Sequence, residues 1–296
     1  MAAKSLRTLA LPVVLFSLTL LFTLVIGVQY HISYHDLTLP PGEGFWGFLW
    51  RHPAAWLWGL SYSLPLLGIL LVHEMGHFYA CRRHGIESTL PFFIPAPTLI
   101  GTFGAFIKIR SPFSSKKALF DVGMAGPLAG FLVALPVIAL GISQSKIVEK
   151  GALEGGLTLG EPLVFTLMGR LLLGDIPAQR DLLIHPMAFA GWFGLLATAF
   201  NLFPIGQLDG GHILYAVLGK RKAYQAGVAS VVVLALLGIF FWEGWLLWAL
   251  IATLIGLRHP PIFEEEHLDR KRKFLAVVAL LIFFLSFTPA PLAIAP

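Results

Sequence analysis

His73, Glu74 and His77 stand in the order H-E-x-x-H inside a stretch, residues 57–80, that is otherwise largely apolar. Residues four apart on a helix share one face and lie about 6 Å apart along the axis, so both imidazoles can reach one cation with Glu74 close beside them. In that arrangement the two histidines bind Zn2+ and the glutamate acts as base toward a water. Two imidazoles and a water leave a tetrahedral zinc one ligand short, so the chain must supply a third donor from elsewhere.

Residues 185–218 are the place to look for it. Asp209 is the only carboxylate in that apolar stretch, and His212 is the one alternative donor near it. Asp209 is expected to be the third ligand; a helix-capping aspartate beside Gly210 is the plainer reading. Asn201 is a candidate catalytic residue whose amide would donate to the oxyanion formed at a peptide carbonyl. A buried asparagine that ties a broken helix together would look the same in sequence. Gly210 and Gly211 are expected to allow close backbone approach or a turn.

The elements that must position these residues are membrane helices. The 296 residues are 57% hydrophobic and 12% charged, with mean hydropathy +0.79, against about a quarter charged in soluble domains. The net charge of +5 does not indicate a nucleic-acid partner, because the basic residues cluster in short loops between apolar runs. A single cysteine, Cys81, excludes an intrachain disulfide and a cysteine metal cluster. The reading is an all-α polytopic membrane protein of about seven spans, near residues 9–28, 55–80, 118–142, 185–218, 226–241, 245–257 and 274–289. Residues 1–28 resemble a signal sequence, but their apolar run is too long for one and no clean cleavage site follows, so they read as a retained helix. The tryptophans between residues 46 and 58 fit an interfacial belt or packing against protein equally well.

Two stretches break the pattern. Residues 89–109 are apolar but hold Pro91, Pro95 and Pro97 within seven residues, which forbids a continuous helix and predicts a re-entrant loop or short hairpin over the metal. The span at residues 185–218 is too long for one crossing and is expected to break around Pro204 and Gly206. The small residues Gly123, Ala125, Gly126, Ala129 and Gly130 predict a face on which another helix packs closely. Residues 143–184 form the one sizeable extramembrane stretch, as surface amphipathic helix or dipping into the bilayer.

With a cytoplasmic N-terminus, 16 of the 21 Lys and Arg fall on the inner side and five on the outer, in accord with the positive-inside rule. Spans two and four then both run outside to inside, which puts His73, His77 and Asp209 at one depth near the cytoplasmic face. The expected location is a bacterial cytoplasmic membrane, with the active site opening to the cytoplasm. An ion or metal transporter using the same intramembrane His and Asp is the alternative, but it calls for repeated halves that the sequence does not display.

Together His73-Glu74-Met75-Gly76-His77 and Asn201-x-x-Pro204-x-x-x-Leu208-Asp209-Gly210 resemble the site-2 protease family of intramembrane zinc metalloproteases, the M50 peptidases. Gly101-Thr102-Phe103-Gly104-Ala105 and Phe120-Asp121-x-Gly123-x-Ala125-Gly126-Pro127 are similar to features of bacterial, archaeal and plastid members. The resemblance implies a three-helix catalytic core, zinc on His73, His77 and Asp209, Glu74 as base, and membrane proteins as substrates. Those are expected to be single-span proteins, possibly already shortened by another protease. Residues 143–184 are too few for the PDZ-like insert that some relatives carry. The chain divides into residues 1–56 (first span and external loop), 57–218 (catalytic core) and 219–296 (C-terminal spans); nothing in it sets an oligomeric state.

Overall fold

The computed structural model describes residues 2–150, 157–260, 262 and 266–294. The chain is mostly helical. Four helical stretches, Ala10–Tyr34, Pro53–Arg83, Lys116–Ser143 and Lys220–Phe240, are long and apolar enough to cross a membrane, and shorter apolar helices stand beside them. In order, the helices are α1 (Ala2–Tyr34), α2 (Phe45–Arg51), α3 (Leu60–Arg83), α4 (Lys116–Ser143), α5 (Leu163–Leu173), α6 (Pro186–Leu202), α7 (Asp209–Leu218), α8 (Lys220–Phe240), α9 (Gly244–Ile255) and α10 (Arg270–Ser286). Among the described residues, six short strands pair in three antiparallel ladders: β1 (Phe92–Pro95) with β2 (Thr102–Phe106), β3 (Lys146–Glu149) with β5 (Arg180–Leu183), and β4 (Leu157–Leu159) with β6 (Leu292–Ile294).

The centre of the molecule is the packing of α3, α4 and α6, with α7 against α4. Small residues let these backbones meet. A Cβ on Gly76 of α3 would lie 2.5 Å from the Ala125 carbonyl oxygen of α4, and one on Gly141 would lie 2.2 Å from the Ala188 nitrogen of α6. Around these contacts Tyr62, Ile138, Trp192 and Leu195 are fully buried. The outer faces of α8, α9 and α10 instead expose Val232, Leu236, Ile239, Leu250, Leu254 and Leu280, more contiguous apolar surface than a water-soluble monomer tolerates.

Helix ends follow local signals. Ser115 caps α4 by accepting from the Ala118 amide at 3.2 Å, and Asp269 caps α10 by accepting from the Arg272 amide at 3.0 Å. The expected break in residues 185–218 lies between Leu202 and Asp209, across Pro204 and Gly206.

Residues 89–109 form the β1–β2 hairpin, the short-hairpin alternative of the sequence reading. Its turn carbonyls are held by tyrosine hydroxyls: Tyr30 of α1 donates to Leu99 O at 2.6 Å and Tyr62 of α3 to Ile100 O at 2.9 Å. Gly101, at φ +84°, presses on α1, where a Cβ would come within 2.9 Å of Thr23 Cα. The hairpin is therefore fixed to both helices. The tryptophans divide between the two expectations: Trp46 and Trp50 are exposed, whereas Trp58 stacks on His31 with ring centroids 5.1 Å apart. In residues 143–184, α5 and the strands β3, β4 and β5 account for most of the described stretch; residues 151–156 lie outside the described residues. Cys81 is buried.

The α4–α6 contact makes a direct prediction. Gly141→Val places atoms where the Ala188 backbone lies and is expected to cost about 1–3 kcal/mol of stability, seen as a lower thermal midpoint in detergent. Gly169→Ala in α5, where a Cβ meets nothing within 4 Å, should leave the midpoint unchanged or raise it. Equal midpoints for Gly141→Val and the parent chain would contradict the contact.

Candidate metal centre

His73 and His77 leave α3 on the side that faces α4. There the small-residue face does more than admit a helix: it makes room for the rings. A Cβ on Gly126 would sit 2.0 Å from His77 Nε2, and one on Gly130 would sit 3.1 Å from His73 Nδ1. Gly123, one turn earlier, takes the start of α7, since a Cβ there would be 2.8 Å from His212 Cβ and 3.1 Å from the Asp209 carbonyl oxygen.

Asp209 follows a break in the helix. After α6 ends at Leu202, six residues of non-helical chain lead to α7, with Gly206 at φ +49° in the left-handed region. A Cβ on Gly210 would lie 2.0 Å from Leu202 O, and one on Gly211 would lie 2.4 Å from Gly206 O. The glycine pair thus allows the first turn of α7 to press on the end of α6, as expected for close approach. Asp209 is then the first residue of α7, where a negative side chain is favoured by the helix dipole.

The three expected donors converge. His73 Nε2 and His77 Nε2 are 3.1 Å apart, and Asp209 Oδ2 lies 3.3 and 3.2 Å from them. Among the described residues these three form the one cluster of His, Cys, Asp and Glu arranged to hold an ion. Ligands at about 2.0–2.1 Å from a tetrahedral zinc stand about 3.3 Å from one another, so the triangle has the edge length such an ion requires. Tautomer and orientation agree. His77 Nδ1 is 2.7 Å from the Val122 carbonyl, which can only accept, so Nδ1 carries the proton and the neutral ring turns the Nε2 lone pair to the triangle.

Glu74 is buried at 5% exposure beside these groups, close to the backbone of Ile107, just past β2. The hairpin that sequence placed over the metal thus reaches the expected base. Asn201, in the last turn of α6, has its amide nitrogen 3.2 Å from His73 Nε2. All five sequence-derived site residues therefore meet in one buried pocket.

Other histidines stand apart. His212 Nδ1 lies 2.8 Å from His259 Nε2, outside the donor triangle. His185 Nδ1 accepts from the Met187 amide at the start of α6. Sequence reasoning missed the ionic clamp centred on Asp121 of α4. Arg272 of α10 donates to both its oxygens, Nε to Oδ1 at 2.8 Å and Nη2 to Oδ2 at 2.5 Å, while His84 after α3 lies 2.8 Å from Oδ2. The available signal was a lone carboxylate at the start of an apolar helix, in a chain whose basic residues crowd the helix ends.

Comparison with known proteins agrees with this constellation. The model of peptidase family M50 matches residues 61–241, a span that contains the hairpin and every residue of the triangle. Probable zinc metalloprotease EGY1, chloroplastic, from Oryza sativa subsp. japonica is 34% identical over 242 residues, 78% of this chain and 40% of that protein. The Arabidopsis thaliana protein of the same name is 33% identical over 243 residues, covering 77% and 43%. Probable zinc metalloprotease EGY2, chloroplastic, from Arabidopsis thaliana is 31% identical over 237 residues, covering 79% and 42%. The chain thus spans about two-fifths of the length of these relatives. A family match over more than half the chain that encloses His73, His77 and Asp209, together with four membrane-length apolar helical stretches among the described residues, identifies the chain as a polytopic membrane protein that belongs to peptidase family M50.

Proposed function

We propose that this chain is a zinc-dependent intramembrane endopeptidase that hydrolyses peptide bonds within or near transmembrane helices of membrane proteins. The observation that carries the reading is the 3.1–3.3 Å triangle of His73, His77 and Asp209 with Glu74 buried beside it. The relatives' printed names, zinc metalloproteases, support the same chemistry. The chemistry a zinc supplies on such a donor set is Lewis acidity toward a water and a carbonyl. Glu74 takes the proton of the attacking water and returns it to the leaving amine, so its carboxylate ends the cycle unprotonated. Asn201 donates its amide N–H to the oxygen of the scissile carbonyl as negative charge develops there. His77, fixed through Nδ1 by Val122 O, and His73 act as ligands only.

The substrate has to expose a carbonyl that its own helix normally occupies, so local unwinding precedes attack. In β2 the edge away from β1 has no strand partner among the described residues, and Phe103 is exposed on it. An opened substrate segment adding to that edge would lie next to Ile107 and Glu74. We take the substrates to be single-span membrane proteins, intact or pre-cleaved by another protease, and residues 57–218 to be the catalytic core between the flanking 1–56 and 219–296.

The proposed topology has seven crossings: α1, α3, α4, the α6–α7 pair, α8, α9 and α10. The β1–β2 hairpin is re-entrant, and the N-terminus and site opening face the cytoplasm or, in a plastid, the equivalent compartment. Support comes from the 16 to 5 distribution of Lys and Arg. Nothing favours the transporter alternative.

Three sets of measurements test the reading. Glu74→Gln is expected to abolish cleavage of a reconstituted transmembrane substrate with zinc retained, whereas His73→Ala, His77→Ala and Asp209→Ala lose zinc as well. Asn201→Ala should keep its zinc and lose about 10²–10³ in kcat; normal zinc content in all three ligand variants would refute the donor set. Gly126→Ala forces His77 out of position and should deplete bound zinc, while Gly68→Ala, where a Cβ meets nothing within 4 Å, should not. Accessibility tags at Gly85 and Ser114, which flank the hairpin, should report the same side of the membrane, and opposite sides would make the hairpin a true crossing.

A further inference from the structure

Beside the catalytic motif, a groove of about 580 Å³ opens between the end of α3, the first half of α4 and the start of α10. Its inner wall includes Gly76 and Ala125, where the two helices touch. One end of the groove is ionic and the other apolar. At the ionic end, Arg272 is consumed by Asp121 and by Asp269. That leaves Arg83 and Lys271, both exposed and neither in a side-chain ion pair among the described residues. The apolar end runs along Leu128 and Leu275, and Tyr79, 64% exposed, stands at the rim.

This is the profile of an amphiphile with an anionic head. The groove lies where α3 ends in Arg82 and Arg83 and α10 begins with Arg270, Lys271 and Arg272, the level at which basic and aromatic side chains meet headgroups. A soluble anion would use the two free cations and leave the apolar wall uncovered; a zwitterionic lipid would cover the wall and place its own cation beside them. We infer that the groove binds one anionic phospholipid of the adjoining leaflet, with its phosphate at Arg83 and Lys271 and an acyl chain along Leu128 and Leu275. The inference rests on the chain being a membrane protein and is independent of the proposed peptidase chemistry.

Native mass spectrometry of the purified full chain in detergent, titrated with phosphatidylglycerol or phosphatidylcholine, tests it without an activity readout. Phosphatidylglycerol should bind more tightly. Arg83→Gln/Lys271→Gln should weaken it about 30-fold, at roughly fivefold per cation removed, and leave phosphatidylcholine unaffected. Arg82→Gln/Arg110→Gln, on the neighbouring groove that those residues line, should behave as the parent chain. The single variant Lys271→Gln, about fivefold weaker, serves if the double variant folds poorly. Equal binding of the two lipids, unchanged phosphatidylglycerol binding in the Arg83/Lys271 variants, or full displacement of the lipid by inorganic phosphate would overturn the proposal.

Discussion

Taking an ionisable side chain out of water costs several kcal/mol unless a partner compensates it, and this molecule buries four at one point between apolar helices. His73, Glu74 and His77 are 5–6% exposed, and the Asp209 side chain 14%. Neighbours compensate the ligands: the Asp209 oxygen lies within 3.3 Å of both imidazoles, and Val122 O accepts from His77 Nδ1. A cation at the centre of the triangle completes the compensation. The need to gather these groups explains features that would otherwise be unrelated. Glycines at 126 and 130 leave the rings their space, and glycines at 210 and 211 let α7 start against the end of α6.

Much of this was legible because it is local. H-E-x-x-H needs only a helix to place two imidazoles on one face, and the break after Leu202 follows from a proline and a glycine that cannot continue one. The small-residue run in α4 was readable as a packing face, but not that its glycines lie under the two histidine rings, since that depends on the depth at which α3 crosses α4. Asn201 was ambiguous in sequence, and its amide turns out to lie beside His73 Nε2.

What escaped the sequence is long-range. β3 pairs with β5 across more than thirty residues, and β4 with β6 near the far end of the chain. Strands of three or four residues carry too little periodicity to announce themselves or their partners. The Asp121 clamp is similar: its partners come from the end of α3 and the start of α10, 37 and 151 residues away. The long apolar helices were readable one by one, yet the contacts that order them are set by side chains whose partners no local pattern names.

Depth along the helices then constrains what the site can do. His77 precedes the basic end of α3 at Arg83 by six residues, about 9 Å at 1.5 Å per residue, whereas Leu60, at the other end, precedes His73 by thirteen, about 20 Å. The triangle therefore sits in the half of the helix nearest the Arg-rich end, where water has the shorter path. A substrate helix reaching the same depth is only two turns from its own polar flank, so fraying from that end opens the carbonyls nearest the site before those at mid-bilayer. The hairpin is tied by tyrosine hydroxyls at its turn, and so presents its open edge at that level without having to form when substrate arrives. For the hydrolysis proposed here, shallow placement and a preformed edge reduce the same cost: the opening of a helix whose backbone finds no water in lipid.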